Sequence, residues 1–256
     1  MPLYDGLPTP ARYHAMATII LGIALSVLDS TLVNLALPGM ARDLNASASE
    51  VVWVVNAYQI AILALLLPLA MLGDLIGYRR IYLLGLALFT VASLGCAMAN
   101  SLPALVAARA VQGMGAAGLM AVNAALVRLV YPHHLLGRGV AINSMVVAGA
   151  SVAGPSVAAV ILSVAPWPWL FAINLPLGAF VVWLGHRALP PNRTPPPAGA
   201  RLPRIDVVLN AAMFVLIFLA AEAFVAGMNE VPAPAWQLPL VLLLAGVGVA
   251  DGYLRR

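Results

Sequence analysis

Residues 15–37 form an apolar run with a carboxylate, Asp29, near its middle. About 20 apolar residues cross the hydrocarbon layer as a helix. An ionised acid at that depth costs about 2.5–3.5 kcal/mol even on the lenient insertion scale. The stretch LSVLDSTLVNLALP at 25–38 therefore constrains whatever packs around it. At about 100° per residue, Thr18, Gly22, Ser26, Asp29, Ser30 and Asn34 share an arc of about 160°. Ile20, Leu28 and Leu35 lie opposite. One face of this helix lines something polar, and the other meets lipid or apolar neighbours. The blander alternative is a protonated Asp29 acting only as interhelical glue. The polar arc is longer than glue requires.

The same reading extends along the chain. Hydrophobic residues make up 63% and charged residues only 9%, against about 25% charged in soluble domains. Apolar segments fall at about 15–37, 51–72, 80–99, 103–130, 138–164, 169–188, 206–228 and 237–253. Each is near or above the length that spans the bilayer at about 1.5 Å rise per residue. Strands would instead alternate over segments of about ten residues. The fold class is all-α: a polytopic bundle of six spans followed by two more helices. Residues 189–204, LPPNRTPPPAGARLPR, are rich in Pro and Arg and cannot continue a helix. They divide the chain into a six-helix bundle at 1–188, a cytoplasmic linker at 189–205, and two further transmembrane helices at 206–256.

Charge sets the expected orientation. All 13 basic residues are Arg. With the N-terminus in the cytoplasm, Arg12, Arg79, Arg80, Arg128, Arg138, Arg187, Arg193, Arg201, Arg204, Arg255 and Arg256 fall inside. Only Arg42 falls outside, and Arg109 lies within a span. The positive-inside rule then predicts a multi-pass membrane protein with both termini cytoplasmic. The formal charge of +4 reflects this topology rather than nucleic-acid binding, because the Arg sit between apolar spans. Trp53, Trp167, Trp169 and Trp236 fall near the expected outer interface, where indole rings settle. Cys96 is the sole cysteine, so no intrachain disulfide forms. His14, His133, His134 and His186 sit at span ends or in loops without metal-ligand spacing. No nucleophilic or phosphate-binding motif is present, and the reading is a non-enzyme without metal or cofactor.

Several motifs remain. MLGDLIGYRRIYLLG at 71–85 turns between the second and third spans. Gly73 and Gly77 permit tight helix ends, Asp74 can accept bonds from a neighbouring helix start, and Arg79 and Arg80 face the cytoplasm. A charged hairpin that only fixes topology is the plain alternative. LVAARAVQGMGAAG at 105–118 places Arg109, Gln112 and Gly113 on one helical face with Ala116, Met120 and Asn123. Arg109 within a span is as costly as Asp29, and pairing lowers both costs. AGASVAGPSVAA at 148–159 carries Gly154 and Pro155. Its small residues are expected to approach the second or eighth span closely.

Taken in order, these motifs resemble those of the major facilitator superfamily. The 73–80 loop is similar to its conformational latch, 105–118 to its fourth-span motif, and 148–159 to its antiporter motif. LDSTLVNLALP at 28–38, WLFAINLPLG at 169–178 and RLPRID at 201–206 resemble the fourteen-span drug:proton antiporter family in particular. Ala158 and Ala159 stand where that antiporter motif has paired Gly, Leu75 and Tyr78 where the latch has basic residues, and Pro168 where an Arg precedes Trp169.

The resemblance implies proton-coupled efflux of lipophilic or cationic drugs across the inner membrane. Two six-span halves of such transporters rock about a midplane site, an arrangement for which this superfamily is a standard illustration. Asp29 would exchange protons and substrate, tuned by Arg109, with Asn34 and Gln112 on the polar faces beside them. The chain is expected to be an N-terminal portion that works with a second chain or a missing C-terminal half. The alternatives are a facilitator for another small molecule and a non-transporting membrane fragment. Glu222, in the seventh span, has no role under the resemblance. It is either a hydrated rim residue or an added cation-attracting carboxylate.

Overall fold

The computed structural model describes residues 5–191 together with 212, 213, 215 and 216. The described residues form helices α1 (Thr9–Asp43), α2 (Ala48–Val51), α3 (Trp53–Ile76), α4 (Tyr78–Ala97), α5 (Leu102–Val130), α6 (Leu136–Val164), α7 (Pro168–Ala172) and α8 (Asn174–Ala188), with a 3-10 turn at His133–Leu135. No strand occurs among them. Six segments are long and apolar enough to cross a membrane, with α2–α3 and α7–α8 each counting as one. The first six expected spans each coincide with one of these segments. Apart from the four positions at 212–216, the linker beyond residue 191 and the last two expected spans lie outside the described residues.

Local sequence explains where the helices start and stop. Pro10 stands in the first turn of α1, where its missing N–H deprives no intrahelical bond. Ser47 and Glu50 form a reciprocal capping box at α2. The Ser101 hydroxyl accepts the Ala104 N–H at the start of α5. Between α3 and α4 the chain reverses at Gly77, whose φ of 109° suits glycine alone. Pro176 lacks the N–H that would bond back to residue 172, and the sixth crossing breaks just before it, at Ile173.

α5 lies between α3 and α4, α8 joins α4 to α1, α6 packs along α1, and α1 also meets α5 across the middle. Small residues set the closest approach. A Cβ on Gly85 would lie 2.7 Å from the Gly115 carbonyl oxygen, so α4 and α5 nearly touch backbone to backbone.

Two large apolar clusters, with a smaller one at Ile23, Val27 and Ala150, fill the bundle. One is built around Ile19, Tyr82, Leu86, Leu119 and Leu126. The other gathers Leu32, Met40, Leu105, Trp167, Leu170 and Phe171. On α1, α4, α5 and α8 the residues between these clusters are polar, so a buried polar layer crosses the bundle at Asp29, Ser93, Arg109, Gln112 and Asn174.

The tryptophans divide. Trp53 and Trp169 are exposed, as interfacial residues are. Trp167 departs from that expectation. It is buried, its indole N–H donates to Asp43 Oδ2 at 3.0 Å, and its ring meets Phe171 edge-on. The carboxylate at the end of α1 supplies the partner that water would otherwise have given.

Candidate functional site

The polar arc of α1 turns inward over most of its length. Thr18, Gly22, Ser26 and Asp29 are buried, Ser30 is half-buried, and Leu35 on the opposite face is exposed. Asn34, at the far end of the arc, is exposed and takes no part in the buried layer. An arc of about 160° is wider than one helix contact covers, so its last residue rotates out of the bundle.

Asp29 and Arg109 meet at the centre, both buried. Arg109 Nη1 donates to Asp29 Oδ2 at 2.5 Å. The other carboxylate oxygen, Oδ1, accepts Gln112 Nε2 at 2.9 Å and Asn174 Nδ2 at 2.7 Å. Gln112 is one turn from Arg109 on the same face of α5. Its Oε1 accepts Arg109 Nη1 at 2.7 Å and, more weakly, Cys96 Sγ at 3.4 Å. Its Nε2 also reaches Ser93 Oγ at 2.9 Å. Arg109 Nε donates to the Val54 carbonyl at 3.0 Å, and the guanidinium lies 4.1 Å from the Tyr58 ring centroid. The Tyr58 hydroxyl in turn donates to the Ser26 carbonyl at 3.1 Å.

Three crossings therefore meet at one carboxylate, α1 bearing it and α5 and α8 donating to it, while α3 and α4 hold Arg109 and Gln112 from behind. Removing two charges from water costs several kcal/mol per ion, which is recovered only when geometry and hydrogen bonding are good. Asp29 meets that condition with three donors. Arg109 falls one bond short: its Nη2 is buried without a partner among the described residues. The layer is thus neutral overall and holds one cationic N–H group with bonding capacity in reserve. It can exchange a proton or a cation at the carboxylate, and it can donate from Nη2 to an acceptor.

The remaining sequence candidates lie elsewhere. In the 71–85 turn, Gly73 is buried against Val122, and Asp74 accepts the Tyr78 hydroxyl at 2.5 Å. Arg79 donates through Nη2 to the His186 carbonyl at the end of α8, and Arg80 is exposed. This ties the α3–α4 turn to the last turn of α8. No ion pair links Asp74 to either Arg among the described residues.

Gly154 sits against Thr31 of α1, so closely that a Cβ there would collide with Thr31 Oγ1. The expected approach to the second span is corrected accordingly, and the eighth span lies outside the described residues. α6 runs along α1, and the second span packs on α5 instead. Pro155 is exposed beside this contact. Glu222 lies outside the described residues.

Sequence reasoning did not single out Asn174, Ser93 or Tyr58. Asn174 carried a usable signal, because an amide two residues before a proline in an apolar span stands where the helix is broken. Ser93 and Tyr58 carried none, since each is a common residue in a membrane helix.

Comparison with known proteins adds context to this geometry. A family profile described as Major Facilitator Superfamily matches residues 19–252. The chain is 51% identical over 228 residues to the uncharacterized transporter YebQ of Escherichia coli (strain K12), covering 88% of this chain and 49% of that protein. It is 35% identical over 179 residues to the riboflavin transporter RibZ of Clostridioides difficile (strain 630), covering 70% and 39%. It is 31% identical over 229 residues to the methylenomycin A resistance protein of Bacillus subtilis (strain 168), covering 89% and 47%. The chain spans about half the length, or less, of these curated relatives. Its fold is similar to that of the human organic anion transporter MFSD10 (TETRAN), with a TM-score of 0.57 at 16% identity over 92% of this chain and 70% of that one. A D-xylose-proton symporter gives 0.57 at 15% identity, over 92% and 66%.

Proposed function

Since this chain belongs to the major facilitator superfamily, we propose that it supplies the N-terminal half of a proton-coupled exporter of lipophilic or cationic small molecules. The observation that carries this reading is the Asp29–Arg109 pair, buried with Gln112 and Asn174 where α1, α5 and α8 meet. When Asp29 is charged, it holds Arg109, Gln112 and Asn174 together. A proton added to Asp29 removes the charge that Arg109 neutralises and weakens its two charge-assisted amide bonds. Arg109 then keeps only Gln112 Oε1 and the Val54 carbonyl. That loss biases the layer toward a second packing, and a cationic substrate competes with the proton for the same carboxylate.

The distribution of Arg supports cytoplasmic termini, and similarity to bacterial transporters supports an inner-membrane placement. A second bundle, from a further segment or a second chain, completes the cavity. Relatives that include the methylenomycin A resistance protein favour drug-like substrates.

The test is pH-gradient-driven flux in proteoliposomes that contain the chain with its completing half. Asp29→Asn should abolish coupled flux while leaving membrane insertion intact. Flux at the unsubstituted level in that variant would overturn the assignment. A second reading rests on similarity to the riboflavin transporter: a facilitator for a planar, hydroxyl-bearing solute. Flux of such a solute that is indifferent to the pH gradient would favour it.

A further inference from the structure

A cavity of about 210 Å³ opens between the starts of α1 and α6, away from the Asp29 layer. Arg12 and Arg138 stand on its wall beside Tyr13 and Tyr131, with Met16, Ile20 and Ile142 among its apolar residues. Both arginines lie at the end of the bundle where Arg79, Arg128 and Arg187 also gather, because Leu7 N–H bonds to the Val130 carbonyl and Arg79 to the end of α8.

Neither guanidinium has a carboxylate partner among the described residues. Arg12 uses Nε and Nη2 on the Leu7 carbonyl, at 3.2 and 3.0 Å, and lies 5.8 Å from the Tyr131 ring centroid. Arg138 is exposed and makes no hydrogen bond among the described residues. Asp5, the acid at this end of the chain, is occupied: it accepts the His133 N–H at 2.7 Å and faces His134 at 4.0 Å. Two positive charges therefore stand uncompensated on one cavity.

The apolar wall runs in one direction from them. Met16 and Ile20 follow Arg12 by about 6 and 12 Å along α1, and Ile142 follows Arg138 by about 6 Å along α6, at about 1.5 Å per residue. Charge at the membrane edge with apolar surface descending from it is complementary to an amphiphile with an anionic head, and basic pockets between transmembrane helices take such headgroups.

We propose that this cavity binds an acidic phospholipid, its phosphodiester between Arg12 and Arg138 and its acyl chain along Ile20 and Ile142. A lipid seated there bridges α1, which carries Asp29, to α6, and so clamps two elements that also meet at Gly154 and Thr31. The site is independent of the transported substrate.

The experiment is native mass spectrometry of the chain purified in an uncharged detergent and titrated with phosphatidylglycerol, phosphatidylcholine or inorganic phosphate. Phosphatidylglycerol should be retained at least tenfold better than phosphatidylcholine. Arg138→Gln should lower that ratio several-fold without altering thermal stability, since Arg138 bonds to nothing that holds the fold. Arg12→Gln with Arg138→Gln should bring the ratio to one, and Arg42→Gln, at the opposite end, should leave it unchanged. Equal retention of the two lipids by the unsubstituted chain would overturn the proposal, as would a preference that survives in the double variant. Inorganic phosphate displacing phosphatidylglycerol at equal concentration would also overturn it, because a free anion would then be the ligand.

Discussion

Replacing Arg109 by Met keeps an unbranched side chain of similar reach and deletes the charge. It removes the 2.5 Å bond to Asp29, the 2.7 Å bond to Gln112 and the 3.0 Å bond to the Val54 carbonyl. Asp29 keeps the amide donors of Gln112 and Asn174 but loses its only cationic neighbour among the described residues. Breaking one side of a buried pair typically costs about 3–5 kcal/mol, because the remaining charge is stranded. Asp29→Asn strands Arg109 in the same way, although the Tyr58 face and two oxygen acceptors remain to it. The double variant Asp29→Asn/Arg109→Met strands neither charge. The two single losses together, about 6–10 kcal/mol, should therefore exceed the double loss by at least about 3 kcal/mol, or roughly two powers of ten or more in the folding equilibrium. Unfolding free energies from detergent titration of all four proteins measure this coupling. If the single losses add to within about 0.5 kcal/mol, the pair is not the unit described and the reasoning fails.

Further outcomes follow from the packing. Gly154→Val drives a side chain into Thr31 and should lower stability by about 1–3 kcal/mol, whereas Gly149→Ala meets nothing within 4 Å and should stay within about 0.5 kcal/mol; thermal unfolding in detergent compares them. Tyr82→Phe removes a buried hydroxyl that donates to the Thr18 carbonyl at 2.9 Å and the Ile19 carbonyl at 3.2 Å. Both carbonyls also serve the α1 ladder, so the loss should be only about 0.5–1.5 kcal/mol by the same assay. For Glu222, a cysteine at 222 that reacts freely with an impermeant outside thiol reagent, together with an unchanged substrate range in Glu222→Gln, would identify a hydrated rim residue. Protection from the reagent with an altered range would identify a cation-attracting one.

The sequence by itself determined the six crossings and the costly residues within them. In hydrocarbon every backbone group must be satisfied within its own segment, so apolar length translates directly into helices. Asp29 and Arg109 were legible for a related reason: a charge at that depth has few tolerable surroundings, and the two charges answer each other. Helical periodicity also put Gln112 beside Arg109, because residues one turn apart share a face whatever the tertiary structure.

Periodicity names a face but not the neighbour it meets. Asn174 reaches Asp29 across 145 residues of sequence, and nothing local to either residue specifies that meeting. Gly154 advertised close approach without saying that its partner would be Thr31. Asn34 shared the polar arc, yet it turned outward once α1 was packed. Trp167 looked interfacial until Asp43 gave its N–H a buried partner. These outcomes depend on the order in which the helices pack, and that order is set by which small-residue surfaces fit at backbone contact distance. Fit of that kind belongs to pairs of surfaces, so the tertiary structure alone could decide it.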